Sequence, residues 1–217
     1  MQLLIALLMA LPTNACLLPM LQARDVAEVR LCTQVAQAEI KIGVPQDRAY
    51  RMGVVAAWLA DELFEDGTMT AQEVAAMLTT ARGESGLVTN SRSHRDLPDE
   101  AQGGSFGPLQ MTARTATWLG LDHKHLRSYG QGDRAQAVRY AAQAALKFYK
   151  LRSGRARRAG VQTHLEALRK TRRPILNLWT SWAAGHGARP HWRGVQDTLA
   201  KRLRQHPRYL KAVLATR

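Results

Sequence analysis

Apolar residues recur at helical spacing through most of the 217-residue chain, and this pattern predicts a mainly α-helical protein. No apolar run is long enough to cross a membrane as a helix, and no internal repeat is visible. A chain of this length can bury one sizeable core, so we expect a single domain over residues 24–217. Helices are predicted at 24–42, 48–64, 71–84, 112–120, 133–151, 162–170, 174–184 and 196–214.

The helix at 71–84 has the best-marked ends. Thr70 and Glu73 form a capping-box pattern at its start, and Gly86 suits the left-handed conformation in which many helices end. Glu84 follows Ala81 by three residues and is therefore expected on or beside the apolar face. Because burial favours the neutral form of a carboxyl, Glu84 is a candidate general acid. The alternative is an ordinary solvated residue at a frayed helix end.

Residues 88–106 are the least helical part of the chain and are rich in Asn, Ser, Asp, Pro and Gly. A loop of this length inside a compact domain is usually functional, and it can carry a small β-hairpin. The glycine-rich stretch 103–111 follows, with the sequence GGSFGPLQM. Gly104 and Gly107 allow the backbone to approach a ligand closely, and the Gln110 amide can bond a sugar N-acetyl or hydroxyl group.

The chain carries 31 Lys and Arg against 17 Asp and Glu, a net charge of +14. An excess of this size favours a polyanionic partner, which can be nucleic acid, an acidic membrane surface or an anionic cell-wall polymer. The most basic stretch, 147–173, lacks the interleaved aromatic residues of a single-strand binder, and no zinc-finger or basic-zipper pattern is present. We therefore expect affinity for an anionic polymer and no specific nucleic acid.

Residues 1–23 form an apolar segment that is too short to span a bilayer as a helix. The segment is interpreted either as an export signal peptide or as a buried or interfacial N-terminal helix. Cys16 and Cys32 lack the spacing of zinc ligands, and they either pair in an oxidising compartment or remain buried thiols. The sequence predicts no metal and no cofactor.

Three elements of the sequence together resemble the soluble lytic transglycosylase family of the lysozyme superfamily. The first is the Glu84-Ser85 pair at a helix end, and the second is the Gly104–Met111 loop followed by Thr115-Ala116. The third, Ser181–Gly185, is similar to the family's Ala-Tyr-Asn-Ala-Gly segment, with Trp182 in place of the tyrosine. A tryptophan can stack on a sugar but cannot accept a proton. The resemblance covers residues 54–187.

The resemblance implies a mainly α, lysozyme-like fold, of the goose-type lysozyme or lytic transglycosylase kind, with a small β-hairpin after the catalytic helix. It implies cleavage of the β-1,4 bond between N-acetylmuramic acid and N-acetylglucosamine in peptidoglycan, with formation of 1,6-anhydro ends. Glu84 would act first as the acid and then as the base. Substrate contacts would come from Ser85, Ser105, Gln110, Met111 and Trp182.

The implied partner is the peptidoglycan glycan strand, and the implied location is the periplasm and cell envelope, or a phage virion. Two alternatives stay open. The first is a hydrolytic muramidase that uses a second acid from the loop, such as Asp96, Asp99 or Glu100. The second is a lysozyme-fold structural or assembly component of a phage virion or secretion apparatus, with weak or no activity.

Four of the five tryptophans bear on sugar binding, because an indole can stack on the face of a sugar. Trp118 and Trp179 are predicted as core residues. Trp182 and Trp192 are the candidates for stacking platforms.

Overall fold

The computed structural model describes residues 26–65, 67, 69–89, 92–93, 105–122, 134–152, 182 and 193–216. These ranges are mainly α-helical, as the apolar periodicity predicts. Their elements in chain order are α1 (Val26–Ile40), α2 (Gln46–Glu65), α3 (Ala71–Ser85), β1 (Arg92–Ser93), β2 (Ser105–Phe106), β3 (Met111–Thr112), α4 (Ala113–Trp118), α5 (Arg134–Arg152) and α6 (Arg193–Leu214).

The predicted helices that fall in the described ranges begin and end within a few residues of the observed ones. The expected helix at 162–170, the expected helix at 174–184 apart from Trp182, and the apolar segment 1–23 lie outside the described residues. Within the described part of the chain, no helix combines the length and apolar character needed to cross a membrane.

Both ends of α3 form as their sequence signals predict. The Thr70 N–H donates to Glu73 Oε2 at 2.6 Å, and the Glu73 N–H donates to Thr70 Oγ1 at 3.4 Å. The Tyr149 hydroxyl also donates to the Glu73 carboxylate, which ties α5 to the start of α3. At the other end Gly86 has φ of 71°, the left-handed conformation that a glycine adopts without strain.

The core lies where α2 and α3 meet their neighbours. α1 packs on α2 so closely that a Cβ on Gly53 would lie 2.4 Å from the Cys32 carbonyl oxygen. α6 packs over α3 and α1, and α5 packs on α2. Long side chains from α2, α3 and α5 fill the centre, among them Met52, Leu59, Leu63, Met77, Leu78 and Phe148.

The three strands form an antiparallel sheet in the order β1-β2-β3. Ser93 lies opposite Ser105, and Phe106 lies opposite Met111. The hairpin expected between residues 88 and 106 is therefore confirmed, and β3 adds a third strand. Strands of two residues are too short to be stable alone. This sheet is supported by the core, in which Phe106 and Met111 are buried.

The prediction of Trp118 as a core residue is wrong, because its side chain is 41% exposed. Trp118 is the last residue of the short helix α4, and its ring meets the Phe148 ring edge-on at a centroid distance of 6.3 Å. One side of the indole is thus covered while the other faces solvent. Trp179 and Trp192 lie outside the described residues.

Cys32 is buried in the core and disulfide-bonded, so the thiol alternative does not apply to it. The chain has one other cysteine, Cys16, which lies outside the described residues.

Candidate active site

Glu84 lies in the last turn of α3 with its side chain 19% exposed. Burial raises the pKa of Glu84 above its ordinary value, and the Arg202 guanidinium opposes this rise without cancelling it. The carboxyl is therefore partly withdrawn from water at the edge of the core. This is the placement predicted from the apolar spacing of α3, and it favours a protonated carboxyl at a higher pH than a solvated glutamate allows.

Arg202 of α6 is the partner of Glu84. Its Nη2 donates to Glu84 Oε1 at 2.9 Å, and its Nη1 donates to the Thr79 carbonyl oxygen at 3.3 Å. The residue is 5% exposed, and its Nε is buried with no acceptor among the described residues. The buried guanidinium therefore depends on Glu84 and on one α3 carbonyl for its polar contacts, and Glu84 in turn is held in one orientation.

Gly83 makes room for this ion pair. A Cβ at Gly83 would lie 0.9 Å from Arg202 Nη1 and 1.8 Å from its Cζ. The guanidinium thus occupies the space that any other side chain at this position would need. A glycine inside a helix destabilises it by about 0.5–1 kcal/mol relative to alanine. The notch over Gly83 is a physical reason for keeping a glycine one residue before Glu84.

Ser85 joins the end of α3 to the glycine-rich loop. Its hydroxyl lies 2.8 Å from the Pro108 carbonyl oxygen and 3.2 Å from the Ala81 carbonyl oxygen, both within donating distance. The same oxygen accepts from the Val88 N–H at 3.1 Å. The end of α3 therefore contacts the described part of the glycine-rich loop through Ser85.

Within the loop, the predicted substrate-binding residues bond to one another. The Ser105 hydroxyl donates to Gln110 Oε1 at 3.2 Å, and Gln110 Nε2 donates to the Gly107 carbonyl at 2.9 Å. Ser105 is buried, and Gln110 is half-buried. Met111 is 2% exposed and packs in the core, which leaves its side chain almost no surface to offer a ligand. The backbone turn at Gly107, with φ of 72°, is thus fixed from inside the loop.

Backbone strain is concentrated at the end of α3 and in the glycine-rich loop. Within the described ranges, Leu87 and Gln110 are the non-glycine residues with positive φ, at 57° and 49°. Each conformation costs about 1–3 kcal/mol and persists only where the surroundings impose it. Leu87 is almost fully buried just after the Glu84 helix end, and Gln110 is held by its own amide. Leu87 follows the Glu84 helix end and Gln110 lies in the loop that Ser85 contacts, and strained residues of this kind cluster at functional sites.

Trp182 braces the loop from its far side. Its Nε1 donates to the Leu109 carbonyl oxygen at 3.0 Å. Its ring meets Phe148 edge-on at a centroid distance of 4.8 Å, and the residue is half-buried against the core. Trp182 therefore contributes to the site through the backbone of the loop, next to the Ser85 contact at Pro108. As a stacking platform it is only partly accessible.

A second buried network, formed by hydrogen bonds to Glu39, lies next to the Glu84–Arg202 ion pair. Glu39 of α1 is 2% exposed and accepts from Arg82 Nε at 3.0 Å and from the Tyr209 hydroxyl at 2.9 Å. Burial raises the pKa of Tyr209 well above 10.0, and the Glu39 carboxylate adds to the rise. Arg82 and Tyr209 stand beside the Glu84 pair on α3 and α6. The network therefore fixes α6 against α3 and α1.

Sequence reasoning missed Arg202, Glu39 and Tyr209, because pairing between helices distant in the chain leaves no local pattern. Gly83 did leave a signal, since an isolated glycine in a helical pattern usually has a packing reason. The loop acids Asp96, Asp99 and Glu100, and Gly104, lie outside the described residues. The described residues contain no group of three His, Cys, Asp or Glu that could bind a metal ion.

Comparison of the chain with protein-family models, with curated proteins and with solved structures gave no match.

Proposed function

We propose that the chain is a peptidoglycan lytic transglycosylase with Glu84 as its catalytic acid and base. The observation that carries the proposal is the state of Glu84: a carboxyl with a raised pKa at a helix end, beside a strained and internally bonded loop. Its sequence context adds to the support, since the Glu84-Ser85 pair and the Gly104–Met111 loop resemble the soluble lytic transglycosylase pattern.

In the proposed reaction, the Glu84 carboxyl gives its proton to the glycosidic oxygen between N-acetylmuramic acid and N-acetylglucosamine. The bond to the muramyl C1 breaks, and the substrate's own N-acetyl oxygen stabilises the oxocarbenium-like carbon. The Glu84 carboxylate then takes the proton from the muramyl C6 hydroxyl, whose oxygen attacks C1 and closes the 1,6-anhydro ring. One carboxyl suffices for both proton transfers, and water is neither consumed nor released.

Arg202 has a defined part in this cycle. A protonated Glu84 favours the first step, and its ionised form must be stable enough to persist until the second. Burial favours the protonated form, whereas the guanidinium 2.9 Å away favours the carboxylate. The guanidinium thus limits the rise in the pKa of Glu84 that burial alone would cause. Arg202 acts through Glu84, so we assign it as a positioning residue.

The loop contacts provide a second line of support. The Ser85 hydroxyl and the Trp182 indole N–H bond to two consecutive carbonyls of the loop, those of Pro108 and Leu109. A loop fixed in this way can present backbone groups to a sugar without ordering itself on binding. Trp182 stands at the position of the family's tyrosine, and in this proposal its role is to brace the loop, which needs no proton transfer.

The net charge of the chain and its disulfide-bonded cysteine are consistent with a substrate in the cell envelope. A net charge of +14 suits peptidoglycan, whose stem peptides carry carboxylates. A disulfide at Cys32 suits an oxidising compartment. Neither observation distinguishes an exported enzyme from a component of a phage virion.

One observation favours a second candidate, a lysozyme-fold assembly component without activity. A buried carboxylate paired with an arginine is a common structural contact, and it needs no reaction to explain it. In that case the Glu84–Arg202 pair would serve only to fasten α6 to α3.

Digestion of purified sacculi, followed by mass analysis of the soluble products, tests the proposal. Anhydro ends differ from reducing ends by one water, so the product mass separates a transglycosylase from a hydrolytic muramidase. Anhydro products support the proposal, and reducing products replace it with the muramidase. The absence of soluble products from a correctly folded preparation favours the assembly component.

A further inference from the structure

Helix α6 presents two different faces. Its inner face carries Arg202 and Tyr209, which are buried against α3 and α1. Its outer face carries four exposed basic residues at intervals of three, four and three. These residues, here called the basic ridge, are Lys201, Arg204, Arg208 and Lys211. At 100° and 1.5 Å per residue, the ridge occupies about 80° of arc and is about 15 Å long.

The charges of the ridge are available for a partner. All four side chains are exposed, and none forms an ion pair with any residue that the structure describes. Asp197 is the one acidic residue in the α6 sequence, against the four basic residues of the ridge. The ridge is therefore a row of like charges, which is destabilising by itself and is offset by an anionic ligand.

The residues of α6 argue against a lipid bilayer and against a single-stranded nucleic acid as the anionic partner. A helix that lies on a membrane needs an exposed apolar face, but here Ala212 and Val213 are buried in the core. Leu214 is the one large apolar side chain of the described α6 surface that is exposed. A single-strand nucleic-acid binder needs exposed aromatic rings, whereas the Tyr209 ring is 2% exposed.

We infer that the basic ridge is a docking surface for the carboxylates of peptide-bearing glycan strands, separate from the candidate active site at Glu84. The inference rests on the proposed function for its choice of polyanion. Because Arg202 leaves α6 on the buried side, a strand on the ridge lies about one helix diameter, roughly 10 Å, from the acid. The ridge therefore binds a neighbouring part of the wall. It raises the local concentration of cleavable strands without changing the bond-breaking step.

The test compares two variants that lose the same charge. The ridge variant carries Lys201→Gln, Arg204→Gln, Arg208→Gln and Lys211→Gln. The matched control carries Arg30→Gln, Lys41→Gln, Arg51→Gln and Arg114→Gln, which are exposed positions distributed over α1, the turn after it, α2 and α4. Both sets are combined with Glu84→Gln, so that sacculi stay intact while cosedimentation measures the dissociation constant.

The ridge variant is expected to bind sacculi about tenfold more weakly than the Glu84→Gln parent, and the control within about twofold of it. Raising the salt from about 0.05 M to about 0.3 M should reduce the difference, because exposed charges are screened. Amidation of the sacculus carboxylates should abolish the difference. Equal binding by the ridge variant and the control would overturn the inference. So would ridge-dependent binding that is tighter for duplex DNA, or for vesicles with phosphatidylserine, than for sacculi.

A second measurement separates this inference from the proposed function. With Glu84 intact, the parent, ridge variant and control are expected to turn over a short soluble peptidoglycan fragment at the same rate, since such a fragment does not reach the ridge. If the parent fails to process the fragment, the proposed function fails, whatever the binding data show. If the ridge variant alone is slower on the fragment, the ridge belongs to the active site and the inference is wrong.

Discussion

Arg202 and Glu84 form an ion pair across 2.9 Å, although 118 residues separate them in the chain. The guanidinium is almost fully buried, and it lies in a notch that exists because residue 83 is a glycine. The acid of the proposed reaction is thus positioned by the last described helix of the fold. Changes in α6 are therefore expected to alter chemistry at the end of α3.

Replacing Arg202 by glutamine should change the pH dependence of activity. The reaction needs protonated Glu84, so activity falls as the pH rises through the pKa of Glu84. Arg202 lowers that pKa, and its removal leaves burial unopposed. We therefore expect the alkaline limb of the pH–rate profile of Arg202→Gln to move to higher pH, measured as release of soluble products from sacculi.

Lys41→Gln is the matched control for this prediction, because it removes one charge from an exposed residue that lies outside both the candidate site and the basic ridge. Its profile should coincide with that of the wild type. A limb that moves to lower pH in Arg202→Gln, or that moves equally in both variants, would contradict the role assigned to Arg202.

The notch at Gly83 is tested by a double-mutant cycle. Gly83→Ala places a methyl group 0.9 Å from Arg202 Nη1, and the resulting displacement should destabilise the protein by about 1–3 kcal/mol. In an Arg202→Ala background the space is open, and the same change should stabilise by about 0.5–1 kcal/mol, as alanine usually does in a helix. Urea unfolding measures both effects. If Gly83→Ala changes the free energy of unfolding in the same direction in both backgrounds, the guanidinium does not occupy the notch.

The Glu84 helix could be predicted in detail because its determinants are local. Thr70, Glu73 and Gly86 act within one turn of the ends they set, and the apolar spacing placed Glu84 correctly beside the core. The hairpin after α3 also formed as expected. Arg202 could not be found in this way. Among the many arginines of the chain, nothing local marks the one that folds back over Gly83.

The surroundings of individual tryptophans also could not be predicted from the sequence. Trp118 fits a helical apolar pattern, yet it ends a six-residue helix and remains 41% exposed. Trp182 reads as a sugar platform, yet its indole N–H bonds the loop backbone at Leu109. Both outcomes depend on Phe148, which comes from a distant helix and packs against both rings. Periodicity identifies which residues are apolar but not which ring packs on which.

Tyr209→Phe should destabilise the contact between α6 and α1. The lost hydroxyl donates to the buried Glu39 carboxylate, so we expect a loss of about 1.5–3 kcal/mol in the free energy of unfolding. Tyr140→Phe is the control, because that hydroxyl donates to the neutral Asp122 carbonyl and its loss should be about 0.5–1.5 kcal/mol. Equal losses would show that the Glu39 contact contributes nothing beyond an ordinary hydrogen bond.

The same variant makes a prediction about alkaline pH. The pKa of Tyr209 is raised well above 10.0 in the folded state, so its stabilising effect is complete below pH 10.0 and is lost as the pH rises toward the folded-state pKa. The wild type should therefore lose stability above pH 10.0 more steeply than Tyr209→Phe does. Unfolding curves between pH 8 and pH 11 should show the two free energies converging at the alkaline end. Parallel curves would contradict this assignment.

The most direct test of the account is the soluble product released from sacculi by the wild type and by Glu84→Gln. Glutamine keeps an oxygen that accepts from Arg202 but has no proton to give, so the fold should persist while product release falls by about 100-fold to 10 000-fold. Glu62→Gln, which changes a half-buried glutamate paired with the exposed Arg139, should retain full activity. The wild type is expected to release 1,6-anhydro products and Glu84→Gln almost none. Undiminished release of those products by a folded Glu84→Gln protein would contradict the catalytic role of Glu84.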